Sequence, residues 1–292
     1  MANDSAAIVT VGMPVYNGAA FLRQAISSIQ RQSFQRWQLL ISDDCSTDDG
    51  PRLIERLTST DPRITVIRQA KNLGHVENFR FLVDACRTPY FAWHCQDDWI
   101  DPNYLESLLA VFAAHPDCAL ACGDAKRVAV DGTILKHKPF PDLDRLDRAA
   151  RVRLLLSRSE ATRIFGLFRT EAIRGPFADA LATGYVWGWD PLALLPFILG
   201  DQIRGTNETS FYWRDTGVSS DKYKPKTLTA EMRFLARWLD FHLAAWRRAD
   251  LSLGEKLACL PALMLHIHER SGVSPYRRYV RPLLRAQWRR RC

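Results

Sequence analysis

The sequence predicts an α/β fold, a mixed sheet flanked by helices, and three observations predict it. Short β-branched runs alternate with amphipathic helical runs, the alternation repeats along the first third of the chain, and the strands end in polar and acidic clusters instead of hairpin turns. Alternation of this kind puts helices between parallel strands. In open parallel sheets ligands bind beyond the carboxyl ends of the strands, so function is expected there.

Ile8 to Met13 is apolar and β-branched, and Gly12-Met13-Pro14 closes it. Leu22, Ala25, Ile26 and Ile29 fall at helical spacing before Trp37 to Ser42 returns as a second strand, which completes a βαβ unit. Its two strand ends carry Pro14-Val15-Tyr16-Asn17 and Asp43-Asp44. The order then repeats. Pro51 to Leu57 is a helix with proline in its first turn, Ile64 to Ile67 a strand, Val76 to Cys86 an amphipathic helix, and Tyr90 to His94 a strand. This strand ends in Cys95-Gln96-Asp97-Asp98, and a helix opens at Asp101-Pro102 with Asp101 as its cap. Carboxylates thus gather at one edge. A carboxylate pair in such a place is costly unless a positive group joins it, and a divalent cation with a diphosphate meets that need.

Further along, Ala119 to Gly123 reads as a buried strand ending at Asp124, and Val128 to Leu135 as a hairpin through Asp131-Gly132. Arg145 to Ser157 is a helix, and Ile164 to Arg169 a strand with Gly166 inside, where a small residue permits close passage of a ligand such as a sugar. Gly184 to Asp190 precedes an apolar helix from Pro191 to Leu199, which places Asp190 where it can cap. Glu208 to Trp213 is a late strand. Met232, Leu235, Trp238, Leu239 and His242 lie three and four apart on a helix, and Leu253 to His268 is a second helix that Pro261 kinks or breaks. Such helices pack on a core or present a surface to a membrane or a partner.

A chain of 292 residues, 47% hydrophobic and 25% charged, can bury one large core or two fused ones. No internal repeat is visible, no apolar run is long enough to span a bilayer, and MANDSAAIVT lacks the basic and apolar regions of a signal peptide. A cytoplasmic location is the expectation. The seven cysteines, an odd count without metal-type spacing, read as reduced structural thiols and not as zinc ligands. Net charge is +8, and the excess is uneven: from Ser271 to Cys292 there are seven arginines and no acid. Tyr276, Tyr279, Leu283, Leu284 and Trp288 are interleaved with them, which suits an anionic membrane surface or packing on the parent domain. Nucleic acid is the rival reading of a basic, aromatic segment, but no helix-turn-helix, zinc or RNA-binding signature supports it, so no nucleic-acid partner is expected.

The motifs PVYNG, SDDCSTDD and QDDWIDPNYLE, in this order over roughly residues 7 to 220, resemble the family 2 inverting glycosyltransferases. That resemblance implies the GT-A fold, a Rossmann-like nucleotide-binding sheet fused to an acceptor-binding half. It divides the chain into a nucleotide-sugar half at 1–123, an acceptor half at 124–228, and a helical, basic C-terminal extension at 229–292. Carried over by position, Pro14 and Tyr16 line the nucleobase pocket, Asp44 accepts from a ring N–H, and Asp97 with Asp98 holds metal and diphosphate. Asn17 is included in the nucleotide site. Asp43 shares the ribose or caps its loop, and Asn72 and Gly74 in KNLGH sit near the nucleotide or form an ordinary turn. Cys95 departs from the family, since many members have Asp there, and this leaves metal binding mainly to Asp98. Asp190 matches the catalytic carboxylate, with Trp187 and Trp189 as neighbours that stack on sugars and desolvate it. Arg214 corresponds to a phosphate contact, followed by a loop with Ser219-Ser220 that closes over the diphosphate. His94 reads as a strand residue.

The implied activity is a metal-dependent inverting transfer, with Mg2+ or Mn2+, from a nucleoside-diphosphate sugar to a saccharide or lipid-linked acceptor in surface polysaccharide or glycolipid assembly. UDP-sugars are the commonest donors of the family. The alternative is a non-catalytic sugar-nucleotide-binding or scaffold protein on the same fold. A sugar-nucleotide pyrophosphorylase is disfavoured, because PVYNG stands where its Gly-rich, basic loop belongs.

Overall fold

The computed structural model describes residues 6–216 and 220–273. The arginine-rich stretch from residue 274 on, with its expected lipid contact, and Ser219 of the expected closing loop lie outside the described residues. Nine strands form one sheet in the order β3-β2-β1-β4-β8-β6-β9-β5, with β7 paired to β6. β1 (Val9–Val15), β2 (Trp37–Asp43), β3 (Ile64–Arg68) and β4 (Tyr90–Trp93) are parallel. β5 (Trp99–Ile100), β6 (Leu120–Val128), β7 (Ile134–Lys138), β8 (Leu167–Arg169) and β9 (Ile203–Arg214) make the sheet mixed, with β6 and β9 parallel and the remaining pairs antiparallel.

Helices α1 (Leu22–Gln30), α2 (Gly50–Thr58), α3 (His75–Ala85) and α4 (Tyr104–Ala114) connect the first strands, as the alternation predicts. α5 (Arg148–Ser157), α6 (Thr170–Ala182), α7 (Trp189–Leu199), α8 (Leu228–Arg248) and α9 (Leu253–Arg270) complete the fold. The sheet separates two cores. Val9, Val11 and Met13 of β1 face Leu22, Ile26 and Ile29 of α1 on one side. On the other, Phe79, Phe91, Trp93, Phe168, Trp189 and Trp238 cluster beneath α3, α7 and α8. α3 lies so close to β1 that a Cβ on Gly12 would come within 2.9 Å of Phe91 and 3.1 Å of Leu82.

Several boundaries differ from the sequence reading, each for a local reason. α4 starts at Tyr104, and Asp101 does not cap it. The Asp101 carboxylate accepts the Tyr212 hydroxyl at 3.0 Å, while Gln32 Oε1 accepts the Leu105 N–H at 3.0 Å and so meets the need of the helix start. α7 begins one residue before Asp190, with Gly188 at φ 79° ahead of it, so Asp190 lies in the first turn and makes no cap bond. The expected strand from Ile164 is a 3-10 turn, Ala161–Phe165, followed by β8. Gly166 joins the two, and a Cβ there would lie 2.5 Å from the Ala121 carbonyl, so the close passage is to β6. Pro261 sits inside an unbroken α9, whose start carries a full Ser252–Glu255 capping box. The boundary drawn between 123 and 124 runs through β6, where the ladder to β9 shifts register between Cys122 and Asp124.

Candidate active site

The carboxyl ends of β1, β2 and β4 meet at one edge, as three loops tied together by side chains. After β1, Asn17 adopts φ 51°, donates its N–H to Ser46 Oγ at 2.9 Å, and accepts the Thr47 N–H on Oδ1 at 2.8 Å. Its side chain is therefore spent on the β2 loop. Gln96 grips the backbone of Tyr16 on both sides: the Tyr16 N–H donates to Oε1 at 2.9 Å, and Nε2 donates to the Tyr16 carbonyl at 3.1 Å. Gly18 is required beside it, because a Cβ there would stand 2.2 Å from the Gln96 amide. This clamp leaves the Tyr16 ring 49% exposed, the accessibility a stacking platform needs. Pro14 lies within β1, opposite Ser42 of β2.

At the end of β2, Asp43 and Asp44 are both buried. Asp43 accepts the Ser46 N–H at 3.1 Å and lies 3.5 Å from the Arg68 guanidinium. Asp44 accepts the N–H groups of Leu73 and Gly74 at 2.6 and 2.9 Å, one on each oxygen. Asn72 donates to the Asp44 carbonyl at 3.0 Å. Asp44 and Asn72 thus hold the loop that opens α3. A carboxylate offers about four lone-pair sites, so Asp44 keeps acceptor capacity for a base N–H on top of this holding role.

Past β4 stand Cys95, Asp97 and Asp98, with their Sγ and carboxylate atoms within 4.8 Å of one another. Asp98 is 2% exposed and accepts the backbone N–H of Arg214 at 2.9 Å. Burial, reinforced by the Asp97 charge, pushes its carboxyl well above the usual range, and burial raises Asp97 as well. Burial and these two acids also push the Cys95 thiol up, which keeps it protonated. The pair therefore presents hard oxygen donors, a donor set that suits Mg2+ or Mn2+, while a protonated thiol does not compete.

Arg214 supplies a positive charge beside the pair, and each nitrogen of its guanidinium already donates to a protein acceptor. Nε donates to the Asp97 carbonyl at 2.9 Å, Nη2 to Gln24 Oε1 at 2.5 Å, and Nη1 to the Val130 carbonyl. The guanidinium sits 4.7 Å from the ring centres of both Phe21 and Trp99. It is a buried brace of the acidic loop, which corrects its reading as a phosphate contact. His94 is buried too, hydrogen-bonded to the Cys95 carbonyl at 2.9 Å and to Ser28 at 3.3 Å, and burial lowers its pKa to about 4.

The residue before Asp190 is anchored in the core by packed rings. Trp189 lies 5.4 Å from Phe79 of α3 and 5.9 Å from Trp93, two residues before Cys95. Asp190 itself is half-buried, and desolvation raises its carboxyl to about 6, partly opposed by its backbone hydrogen bond and by Arg270. The tryptophans are otherwise engaged than the sequence suggests. Trp189 is core, and Trp187 donates Nε1 to the Ser271 carbonyl at 2.9 Å while Lys224 covers its ring at 4.3 Å.

With this geometry in view, the sequence was compared with known proteins. The profile of Glycosyl transferase family 2 matches residues 10–174, more than half of the chain. The chain belongs to this family. EpsH of Bacillus subtilis, provisionally named a glycosyltransferase, is 30% identical over 113 residues, covering 38% of this chain and 32% of EpsH. The matched stretches span from 15% to 50% of the length of the first curated relatives. Among solved structures, residues 1–349 of S. aureus TarS superpose with a TM-score of 0.67 at 15% identity, covering 96% of this chain and 77% of TarS; the same fragment has been solved with UDP and with UDP-GlcNAc. The mannosyltransferase PcManGT of Pyrobaculum calidifontis, solved with GDP-Man and Mn2+, gives a TM-score of 0.55 at 14% identity over 91% of this chain and 71% of that one. At such identities the likeness establishes the GT-A fold.

Gln96 and His75 are the residues that sequence reasoning missed. Gln96 stands in the acidic motif without an assigned role in the sequence, although a Cβ at Gly18 of PVYNG would stand 2.2 Å from its amide and displace the clamp. His75 opens α3 directly after the Asp44-held loop and packs its ring at a tilt against Phe79, with ring centres 4.7 Å apart. No spacing rule marks either one.

Proposed function

We propose that the protein transfers a sugar, with inversion, from a nucleoside-diphosphate donor to a saccharide or lipid-linked saccharide acceptor. The observation that carries this reading is the Asp97–Asp98 pair, Asp98 buried and Asp97 half-buried, with both carboxyls raised by burial, at the edge where the Tyr16 and Asp44 loops meet. The UDP complexes of the TarS fragment support UDP as the nucleotide, and the Mn2+ complex of PcManGT supports a divalent ion.

Tyr16 stacks on the base, and Asp44 accepts from its N–H while it holds the 72–74 loop. Asp43 takes the ribose or secures its own loop, with Asn17, Pro14 and Asn72 shaping the pocket walls. Asp98, with Asp97, would hold Mg2+ or Mn2+, which supplies positive charge to the departing diphosphate. Asp190 takes the proton of the acceptor hydroxyl, and its raised pKa makes it a stronger base than an ordinary aspartate. An inverting transfer needs its base on the face opposite the leaving group, and we assign that position to Asp190. Polysaccharide or glycolipid assembly on the cytoplasmic side of a membrane is the setting we assign.

The test is calorimetric titration of UDP with and without Mn2+, followed by turnover of UDP-sugars with a saccharide acceptor panel. Metal-dependent binding with turnover is expected. Equal affinity in EDTA would sink the metal assignment. Tight binding without hydrolysis or transfer of any donor would favour a sugar-nucleotide-binding protein on the same fold.

A further inference from the structure

An exposed apolar face stands apart from the strand-end loops of the nucleotide edge. It lies on the outward face of α9, where Leu253, Leu257 and Met264 are 75%, 64% and 59% exposed and Leu260 and Leu265 are exposed beside them. From Leu257 to Ile267 the helix has no Asp, Glu, Lys or Arg, so its outward face has no charge to solvate it. Its inward face is satisfied, with Cys259, Leu263 and His266 buried. α8 meets α9 where Trp238 donates to the Ile267 carbonyl at 3.1 Å, and it adds exposed Leu239 and Leu243. Arg233, Arg237, Arg247 and Arg248 of α8 are exposed as well. An exposed apolar patch rimmed by polar residues marks an interaction site.

We infer that this face is a docking surface for an anionic lipid bilayer. The helix lies in the interface, with its leucines among the acyl chains and the neighbouring arginines at the headgroups. Charge complementarity selects this occupant. The chain beyond α9 continues with seven arginines and no acid, which suits anionic headgroups and repels a second copy of the same stretch. No helix of the described residues is long and apolar enough to cross a membrane, so α9 lies on the bilayer and does not span it.

Position gives the surface a use. The C-terminal end of α9 abuts the acceptor side, where Ser271 accepts from Trp187 and the Arg270 charge acts on Asp190. A bilayer under α9 therefore presents a lipid-linked acceptor close to the candidate base. This last step rests on the proposed glycosyl transfer; lipid docking itself does not.

Co-sedimentation with equimolar phosphatidylcholine–phosphatidylglycerol vesicles tests the surface without donor or acceptor. The full chain is expected to partition onto these vesicles and only weakly onto pure phosphatidylcholine. Leu257→Glu combined with Met264→Glu, both at exposed sites, is expected to weaken partition at least about tenfold, from the loss of two buried apolar side chains, with an unchanged melting temperature. Turnover on a soluble acceptor is expected to persist in that variant. Unchanged partition would overturn the proposal and leave the arginines alone as the lipid contact. So would a failure of the wild type to bind, or a concentration-dependent dimer that the same substitutions abolish, which would assign the face to a second copy. Failure of glycosyl transfer would show in the turnover assay only.

Discussion

Two Asp-Asp doublets close two strands of one sheet, and they have opposite electrostatic situations. At Asp43-Asp44 the chain supplies the donors: two backbone N–H groups on Asp44, one on Asp43, and Arg68 beside it. At Asp97-Asp98 one backbone N–H reaches Asp98, the Arg214 side chain is spent on other acceptors, and both carboxyls are raised by burial. The same dipeptide is thus tied down by its own loop in one place, although Asp43 Oδ2 lacks a hydrogen-bond partner, and is raised by burial in the other. A doublet that its own loop satisfies shapes a pocket, whereas one left short of donors has a use for a ligand.

If neither doublet supplies the base, removal of the third carboxylate has the largest effect. Asp190→Asn is expected to lower turnover about a hundredfold to ten-thousandfold with little change in donor affinity. In the wild type, kcat/KM is expected to rise with pH through an apparent pKa near 6 as Asp190 ionises, and this limb should vanish in the variant. A wild-type rate in Asp190→Asn would move the base to one of the doublets.

The next effect separates the doublets directly. Asp98→Asn is expected to abolish the gain in UDP affinity that Mn2+ confers, while the metal-free protein melts no lower than the wild type. The sign follows from the raised pKa: a group more basic in the folded state costs stability once ionised, above its folded pKa, so at neutral pH its neutral isostere relieves a strain. Asp44→Ala should do the opposite, and strip two backbone donors of their acceptor. A cost of about 2–3 kcal/mol is expected by denaturant unfolding, with or without Mn2+. Equal behaviour of the two variants would dissolve the distinction.

A smaller effect places the C-terminal helices on the same scale. His242 and His266, buried against each other between α8 and α9 with ring centres 5.4 Å apart, have pKa values lowered by burial to about 4 and about 3. Their neutral forms are favoured in the folded state, while the unfolded chain protonates histidine near about pH 6.5. Stability is therefore full above that pH and falls as pH drops toward 4. His266→Leu is expected to flatten the fall in melting temperature between about pH 7 and about pH 5; an unchanged slope would assign the acid sensitivity elsewhere.

The four parallel strands and the helices between them were legible because each carries its own periodicity and closes with its own polar cluster. The α4 cap was not, since the group that serves it, Gln32, comes from 73 residues away. Arg214 was misread for the same reason: nothing near it in sequence shows that Gln24 and Val130 take its donors.

By itself the sequence determined the alternation, the family, and which residue types stand at the strand ends, because these depend on local order and spacing. Only the tertiary structure decided which carboxylates remain short of donors, which aromatic rings are free, and which helix face is left to solvent. Those depend on what arrives from distant parts of the chain: a carboxylate's chemistry is set by the donors and the burial around it, and neither is written next to it.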